Sequence, residues 1–145
     1  MAFLAYIVVG LQPVEAADYD IAAELNIPSL GLEADVTTLT LDNNKLDTPD
    51  AIVGSYTRAE NKTLLIGHST TVFQNLNQVE LGNEISYSGN NYRVAEIKTI
   101  PKSAINMNKI LAGSDKDTII IMTCAGELLD GGDATHRLIV TAVKN

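Results

Sequence analysis

The hydrophobic positions of the chain fall into short runs separated by turns, a pattern typical of β-rich proteins. Residues 63–68 (Thr-Leu-Leu-Ile-Gly-His) and 118–123 (Thr-Ile-Ile-Ile-Met-Thr) are almost continuously apolar. Short continuous runs of this kind favour buried strands. The run 136–143 predicts a last strand at the end of the chain. Strands therefore dominate, and the pattern indicates an all-β barrel or sandwich.

Turns and short helices fill the remaining segments. The polar stretch Ser88-Gly89-Asn90-Asn91 lies between two strand-like runs and predicts a β-hairpin. Thr71 is placed to cap a short helix over residues 72–79, and a second short helix is predicted over 103–111.

The N-terminal segment differs from the rest. Residues 2–11 form an uncharged apolar run, about half of the roughly 20 residues that span a bilayer. We interpret residues 1–23 as a truncated membrane-anchor remnant and linker, followed by one domain over 24–145. A signal peptide and an ordinary strand are the alternatives, and the signal peptide lacks the positive segment that should precede it.

Composition narrows the possible functions. The chain has 145 residues, a length that suits one domain. Its formal net charge is −8, so it has no electrostatic footprint for nucleic acid or anionic lipid. Its acidic residues are dispersed, as on a solvated surface. Cys124 is the only cysteine, so an internal disulfide is excluded, and this thiol is either a small buried hydrophobe or a nucleophile.

Three side chains able to carry chemistry lie at predicted strand boundaries. Cys124 ends the run 118–123, His68 follows Gly67 at the end of another, and Arg137 opens the last strand. Each also has an ordinary structural interpretation, as a buried thiol, a packed imidazole and a solubilising surface charge. His136 should face away from Arg137, because side chains alternate along a strand.

Together these three groups permit acyl transfer through a thioester. A cysteine thiolate is a strong nucleophile, and an imidazole can take or give a proton near neutral pH. An arginine stays charged and can donate hydrogen bonds to an oxyanion. The residues alone do not identify a substrate.

In its motifs and their order, the sequence resembles the sortase family, from about Leu25 to Val143. The order of His68, Cys124 and then Arg137 is more specific than any single motif. The family usually has Thr-Leu where this chain has Ile120-Ile121, a change that affects packing more than chemistry. The matching stretches are Leu25-Asn26-Ile27-Pro28-Ser29-Leu30-Gly31-Leu32-Glu33-Ala34-Asp35-Val36, Leu65-Ile66-Gly67-His68-Ser69, Phe73-Gln74-Asn75-Leu76, Leu81-Gly82-Asn83-Glu84-Ile85, Met122-Thr123-Cys124 and Arg137-Leu138-Ile139-Val140-Thr141-Ala142.

The resemblance implies a closed eight-stranded β-barrel with short helices and a cysteine transpeptidase that cleaves a C-terminal sorting signal similar to Leu-Pro-x-Thr-Gly. His68, Cys124 and Arg137 would be catalytic. Thr123 would contact the substrate. Ala104 and Ile105, within the segment 101–117, would line its groove.

The resemblance also implies partners and a location. Surface proteins bearing a sorting signal and a cell-wall precursor amine would be the substrates, at the outer face of a bacterial membrane. No cofactor is expected and no metal, because the acidic residues lack the spacing of a calcium loop. Residues 42–60 show no aromatic lid, which favours an anchoring enzyme over a pilin polymerase.

Two other functions are compatible with the same residues. A hydrolytic cysteine peptidase or amidase would use the same catalytic group with water as acceptor. Papain-like enzymes, however, place the cysteine before the histidine in sequence, the reverse of the order here. A non-enzymatic surface adhesion module would instead keep Cys124 buried and inert.

Overall fold

The computed structural model describes residues 19–145, which form a closed barrel of eight strands. The strand order around the barrel is β1-β2-β3-β4-β7-β8-β6-β5. The pairs β2–β3 and β4–β7 are parallel, and the other neighbours are antiparallel. The strands are β1 Ile21–Ile27, β2 Leu32–Thr38, β3 Val53–Ala59, β4 Lys62–Ile66, β5 Glu84–Tyr87, β6 Asn90–Pro101, β7 Thr118–Leu128 and β8 Ala134–Lys144.

Helices are few and short in the described residues. One α-helix, α1, covers Met107–Leu111, and its N-terminus is capped by the Asn106 side chain, which accepts a hydrogen bond from the Lys109 amide. The remaining helical turns are 3₁₀ segments at Pro28–Leu30, Leu76–Gln78, Lys102–Ala104 and Asp130–Gly132. The predicted eight-stranded barrel with short helices is thus confirmed.

The barrel begins earlier than the predicted domain boundary at residue 24. Strand β1 starts at Ile21, which pairs with Thr37 of β2. The Thr37 hydroxyl donates a 2.8 Å hydrogen bond to the Asp20 carbonyl and fixes the entry of the strand. Residues 21–23 therefore belong to the barrel and not to a linker. Of the rest of the predicted anchor and linker, residues 1–18 lie outside the described residues.

No helix among residues 19–145 is long and apolar enough to cross a membrane.

The core has two parts because β4, β7 and β8 are covered on both faces. The barrel interior is filled by apolar residues such as Leu65, Phe73, Ile121 and Val140. A second cluster lies outside the barrel wall, where α1 packs against the outer side chains of these strands. That cluster consists of Leu64, Ile66, Leu111, Ile120 and Ile139. Burial on both faces explains why residues 64–66 of β4 and 119–122 of β7 are continuously apolar and do not alternate.

Of two local predictions, a hairpin and a short helix, one is confirmed and one is wrong. The hairpin is confirmed, and its turn residues Ser88 and Gly89 have φ of 51° and 81°, as a type I′ turn requires. The helix predicted over 72–79 is wrong, since only Leu76–Gln78 is helical. The Thr71 hydroxyl does not cap it but donates to the Asp50 carbonyl at 2.5 Å.

The helix predicted over residues 103–111 is split into two pieces. Its first part is the 3₁₀ segment Lys102–Ala104, and the α-helix begins only after the Asn106 cap. Strand β7 also runs further than predicted, because a bulge between Ala125 and Leu128 lets the pairing with β8 continue past Cys124.

Candidate active site

Three neighbouring strands bring the predicted catalytic residues together. Strands β4 and β7 run parallel and pair up to Ile66 and Met122. His68 and Cys124 each lie two residues beyond that last pair, so the two strands deliver them to the same edge. Strands β7 and β8 are antiparallel, and Cys124 pairs directly with Arg137 across them.

The alternation of side chains puts all three residues on the outer face of the barrel. Ile120 and Ile139 belong to the outer cluster, and Cys124 and Arg137 continue their rows at even spacing along the strands. His68 likewise continues the row of Leu64 and Ile66. The candidate catalytic group therefore stands at the end of an apolar floor made by the same strands.

A cavity of about 650 Å³ occupies this outer face. Its floor includes Leu64, Ile66 and Met122, and α1 contributes Met107 and Leu111 to one wall. The polar end is formed by the candidate catalytic residues and Asp133. A mostly apolar cavity with a few convergent polar groups is typical of a binding site. The polar members of its lining are Asn44, Thr48, Arg58, His68, Asn108, Thr123, Cys124, Asp133 and Arg137.

Cys124 also borders a second, smaller cavity of about 240 Å³. Phe73, Gln74 and Asn77 from the segment after β4 form one side, and Leu128 from the end of β7 forms the other. The thiol is partly exposed and unpaired by any disulfide. It thus lies between two cavities, an arrangement that gives two different groups access to one sulfur.

His68 is held through its main chain, and its side chain is partly open. The Phe73 amide donates a 3.0 Å hydrogen bond to the His68 carbonyl, which closes the turn after β4. The imidazole is 39% exposed, and its Nε2 lies 4.0 Å from an Asp50 carboxylate oxygen. At that distance Asp50 can bias the orientation of the ring only weakly.

Arg137 is the most firmly held of the three. Its side chain is 17% exposed and forms an ion pair with Asp133 at 2.8 Å between Nη2 and Oδ1. Nη1 donates to two main-chain carbonyls, those of Ala134 at 3.1 Å and His136 at 2.9 Å. Asp133 forms a second ion pair, between its other carboxylate oxygen, Oδ2, and Lys102 Nζ.

These contacts lower the pKa of Asp133 well below the usual range of an aspartic acid. The hydrogen bond from Lys102 is the main cause, followed by those from the Ala134 amide and the Arg137 guanidinium. The sequence analysis missed both Asp133 and Lys102. The one available signal was local, since Asp133 precedes Arg137 by four residues within the same loop and strand.

Thr123 lies directly before the candidate nucleophile and is 5% exposed. Its hydroxyl donates a 2.7 Å hydrogen bond to the Gly67 carbonyl. The same residue borders both cavities. Its evident role is to join the ends of β7 and β4, and its contact with substrate stays a prediction.

The structure does not bring Ala104 and Ile105 into the cavity wall. Ala104 is exposed at the end of a 3₁₀ segment, and Ile105 packs against the outer hydrophobic cluster. The wall is formed further along, by Met107, Asn108 and Leu111. The Asn106 cap starts α1 after Ala104 and Ile105, so a later part of the predicted segment 101–117 lines the cavity.

His136 pairs with Ala125 on the strand face opposite Arg137, as alternation predicts. It is partly buried, and its Nδ1 lies 2.8 Å from the Thr135 hydroxyl.

Within residues 19–145, no three His, Cys, Asp or Glu side chains lie close enough to hold a metal ion.

The fold and site define a closed β-barrel with a thiol, an imidazole and a guanidinium at one end of an apolar groove. The model of the Sortase domain family matches residues 25–145. The chain therefore belongs to the sortase family. It has no match among the curated proteins.

Solved structures of sortases share this fold. Sortase A from Corynebacterium diphtheriae has a TM-score of 0.65 at 19% identity, over 88% of this chain and 61% of that one. Sortase C2 of pilus island 1 from group B Streptococcus has a TM-score of 0.65 at 20% identity, over 86% of this chain and 74% of that one. Listeria monocytogenes sortase A has a TM-score of 0.65 at 18% identity, over 86% of this chain and 87% of that one. The chain thus spans less than two thirds of the C. diphtheriae structure, and at these identities the likeness shows the fold alone.

Proposed function

We propose that this protein is a cysteine transpeptidase that cleaves a C-terminal sorting signal similar to Leu-Pro-x-Thr-Gly and transfers the protein to an amine. The observation that carries the proposal is the convergence of His68, Cys124 and Arg137 on the outer face of three adjacent strands. Membership of the sortase family supports it.

In the first half-reaction, the Cys124 sulfur attacks the carbonyl carbon of the signal threonine. Its proton passes to His68, and Arg137 donates hydrogen bonds to the oxygen that becomes negatively charged. Collapse of this intermediate breaks the Thr–Gly carbon–nitrogen bond. His68 then gives its proton to the leaving glycine amine, and a thioester to Cys124 remains.

The second half-reaction reverses these roles with a new amine. The incoming amine attacks the thioester carbonyl and loses a proton to His68, while the Cys124 thiolate leaves. Arg137 again stabilises the charge on the oxygen. A new amide bond forms, and the transfer of the His68 proton to sulfur restores the starting enzyme.

The shape of the site suits a substrate with an apolar segment on one side of the scissile bond. The large cavity offers Leu64, Ile66 and Met107 to that segment and ends at Cys124. The smaller cavity beyond Cys124 leaves room for the departing residue or for the incoming amine.

The partners and location follow the same proposal. Surface proteins with a sorting signal are the donors, and a cell-wall precursor amine is the acceptor. Catalysis takes place at the outer face of a bacterial membrane, with the enzyme anchored through its N-terminus.

The test uses intact-protein mass spectrometry with a small set of sorting-signal peptides. We expect a covalent adduct on the wild type and none on Cys124→Ala. Hydroxylamine or oligoglycine should release the peptide acyl group as the corresponding hydroxamate or ligated product. A Ser29→Ala variant, outside the lining of both cavities, serves as the matched control and should form the adduct normally.

Two outcomes would contradict the proposal. If the adduct forms but water alone resolves it at every amine concentration, the protein is a hydrolytic cysteine peptidase. If no peptide forms an adduct and native Cys124 stays inert to iodoacetamide until the protein is unfolded, a binding module is the better description.

A further inference from the structure

Asp133 is bound from two sides by cations that come from different parts of the chain. Its Oδ1 accepts from Arg137 Nη2 at 2.8 Å and from the Ala134 amide at 2.8 Å. Its Oδ2 accepts from Lys102 Nζ. The carboxylate is therefore fixed in orientation by three donors.

This arrangement joins two loops that flank the groove. Lys102 begins the 3₁₀ segment after β6, whereas Asp133 ends the connection between β7 and β8. The main chain of that connection is closed by a 2.7 Å hydrogen bond from the Leu129 amide to the Asp133 carbonyl. Asp133 is thus held by both its main chain and its side chain.

The guanidinium of Arg137 is anchored on one side and available on the other. An arginine has five N–H donors. Two of them, on Nη1, donate to the carbonyls of Ala134 and His136, and one on Nη2 donates to Asp133. Among the described residues the Nε donor and the second Nη2 donor have no acceptor, so they can serve a substrate oxygen.

We propose that Asp133 is a positioning residue for Arg137 and that Lys102 holds Asp133 in turn. This ion-pair relay, Lys102–Asp133–Arg137, keeps the guanidinium beside Cys124 before substrate arrives. The inference rests on the proposed function for its effect on rate, but the positioning itself is a property of the resting protein.

The charges of the relay explain why Lys102 belongs to it. A carboxylate alone would neutralise the guanidinium and weaken its attraction for a developing oxyanion. Lys102 adds a second cation, so the three groups together keep one net positive charge. A pre-oriented donor also avoids reorganisation during the reaction, which is where electrostatic stabilisation has its largest effect.

The kinetic test compares Asp133→Asn, Asp133→Glu and Lys102→Met with wild type on a peptide that wild type cleaves. We expect Asp133→Asn to lower kcat at least tenfold and to change KM less than twofold. Asp133→Glu should recover part of the lost kcat, and the kcat of Lys102→Met should lie between those of wild type and Asp133→Asn. The matched control is Glu84→Gln, which breaks another 2.8 Å carboxylate–arginine pair, with Arg93, outside the cavity lining.

A second measurement does not depend on activity. Arginine side-chain NMR reports rotation about the Nε–Cζ bond, and the chain has only Arg58, Arg93 and Arg137 to assign. An Arg137→Lys variant identifies the signal by its loss. We expect slow rotation about this bond for Arg137 in wild type and faster rotation in Asp133→Asn. Thermal unfolding checks that Arg137→Lys and Asp133→Asn are both folded.

The outcomes separate the two proposals. If wild type cleaves no peptide while the Arg137 signal responds to Asp133→Asn, the transpeptidase proposal fails and the positioning inference stands. If Arg137 rotates equally fast in wild type and in Asp133→Asn, the positioning inference is overturned whatever the activity. An unchanged kcat in Asp133→Asn overturns it as well.

Discussion

The Thr123 hydroxyl donates a 2.7 Å hydrogen bond to the Gly67 carbonyl. Each of these residues directly precedes a candidate catalytic residue, Cys124 in one case and His68 in the other. The bond therefore connects the end of β7 to the end of β4, one residue before Cys124 and one residue before His68. Because Thr123 and Gly67 are both buried, water cannot replace a lost partner.

A Thr123→Val substitution tests how much this hydrogen bond contributes to stability and to acylation. Valine keeps the shape of threonine but cannot donate, so the buried Gly67 carbonyl loses its partner. We expect the free energy of unfolding to fall by about 1 to 3 kcal/mol and acylation of Cys124 to slow. Thr123→Ser keeps the hydroxyl and is the matched control. Equal stability and acylation rates for the two variants would show that the bond has no such role.

A side chain at position 67, at the same strand end, should lower both stability and activity. A Cβ at this position would lie 2.6 Å from Val72 Cγ1 and 2.8 Å from Phe73 Cδ2. Phe73 is 1% exposed and cannot move aside. Gly67→Ala should therefore lower the free energy of unfolding by about 1 to 3 kcal/mol through overpacking and lower kcat by displacing His68.

The control for Gly67→Ala is its combination with Val72→Ala, which removes the nearest of the clashing atoms. Unfolding in urea measures all three variants. We expect the double variant to lose less stability than the sum of the single losses. Strict additivity would mean that the contact with Val72 is not the cause.

The strands could be predicted because their sequences reflect local geometry. The centres of the runs 63–68 and 118–123 are apolar on both faces because the barrel interior covers one face and the outer cluster the other. Alternation along β8 likewise separates Arg137 from His136. Both inferences use the spacing of neighbours in one strand, which the sequence contains.

The missed features depend on residues far apart in the chain. The Thr71 hydroxyl, predicted to cap a helix, instead bonds to the carbonyl of Asp50, 21 residues earlier. The ion pair of Lys102 with Asp133 spans 31 residues and needs the barrel to bring two loops together. Neither contact leaves a periodic signal in the sequence.

The cavity wall gives a prediction that distinguishes α1 from the segment before it. Met107 lines the cavity, whereas Ala104, one of the two predicted groove residues, does not. Met107→Glu places a charge against the apolar floor and should raise KM for a sorting-signal peptide at least tenfold, which corresponds to about 1.4 kcal/mol of binding free energy. Ala104→Glu adds the same charge nearby and should leave KM within twofold. A larger rise in KM for Ala104→Glu would restore the predicted position of the groove.

The ion-pair relay also predicts how stability depends on pH. The folded protein holds the pKa of Asp133 well below its usual range, chiefly through Lys102. A carboxyl group with a lowered pKa in the folded state contributes stability that is fully present above its unfolded pKa, about 3.9. That contribution is lost as the pH falls below this value towards the folded pKa. Wild type should therefore lose more unfolding free energy than Asp133→Asn between pH 5 and the acid end of its folded range (about pH 2 to 3).

Urea unfolding at a series of pH values measures this difference. Asp130→Asn is the matched control, because it removes a carboxylate from the same loop without touching Lys102 or Arg137. We expect Asp130→Asn to follow the wild-type pH dependence and Asp133→Asn to be flatter below about pH 4. Parallel curves for wild type and Asp133→Asn would mean that the contacts of Asp133 do not persist in solution, and the positioning of Arg137 would lose its basis.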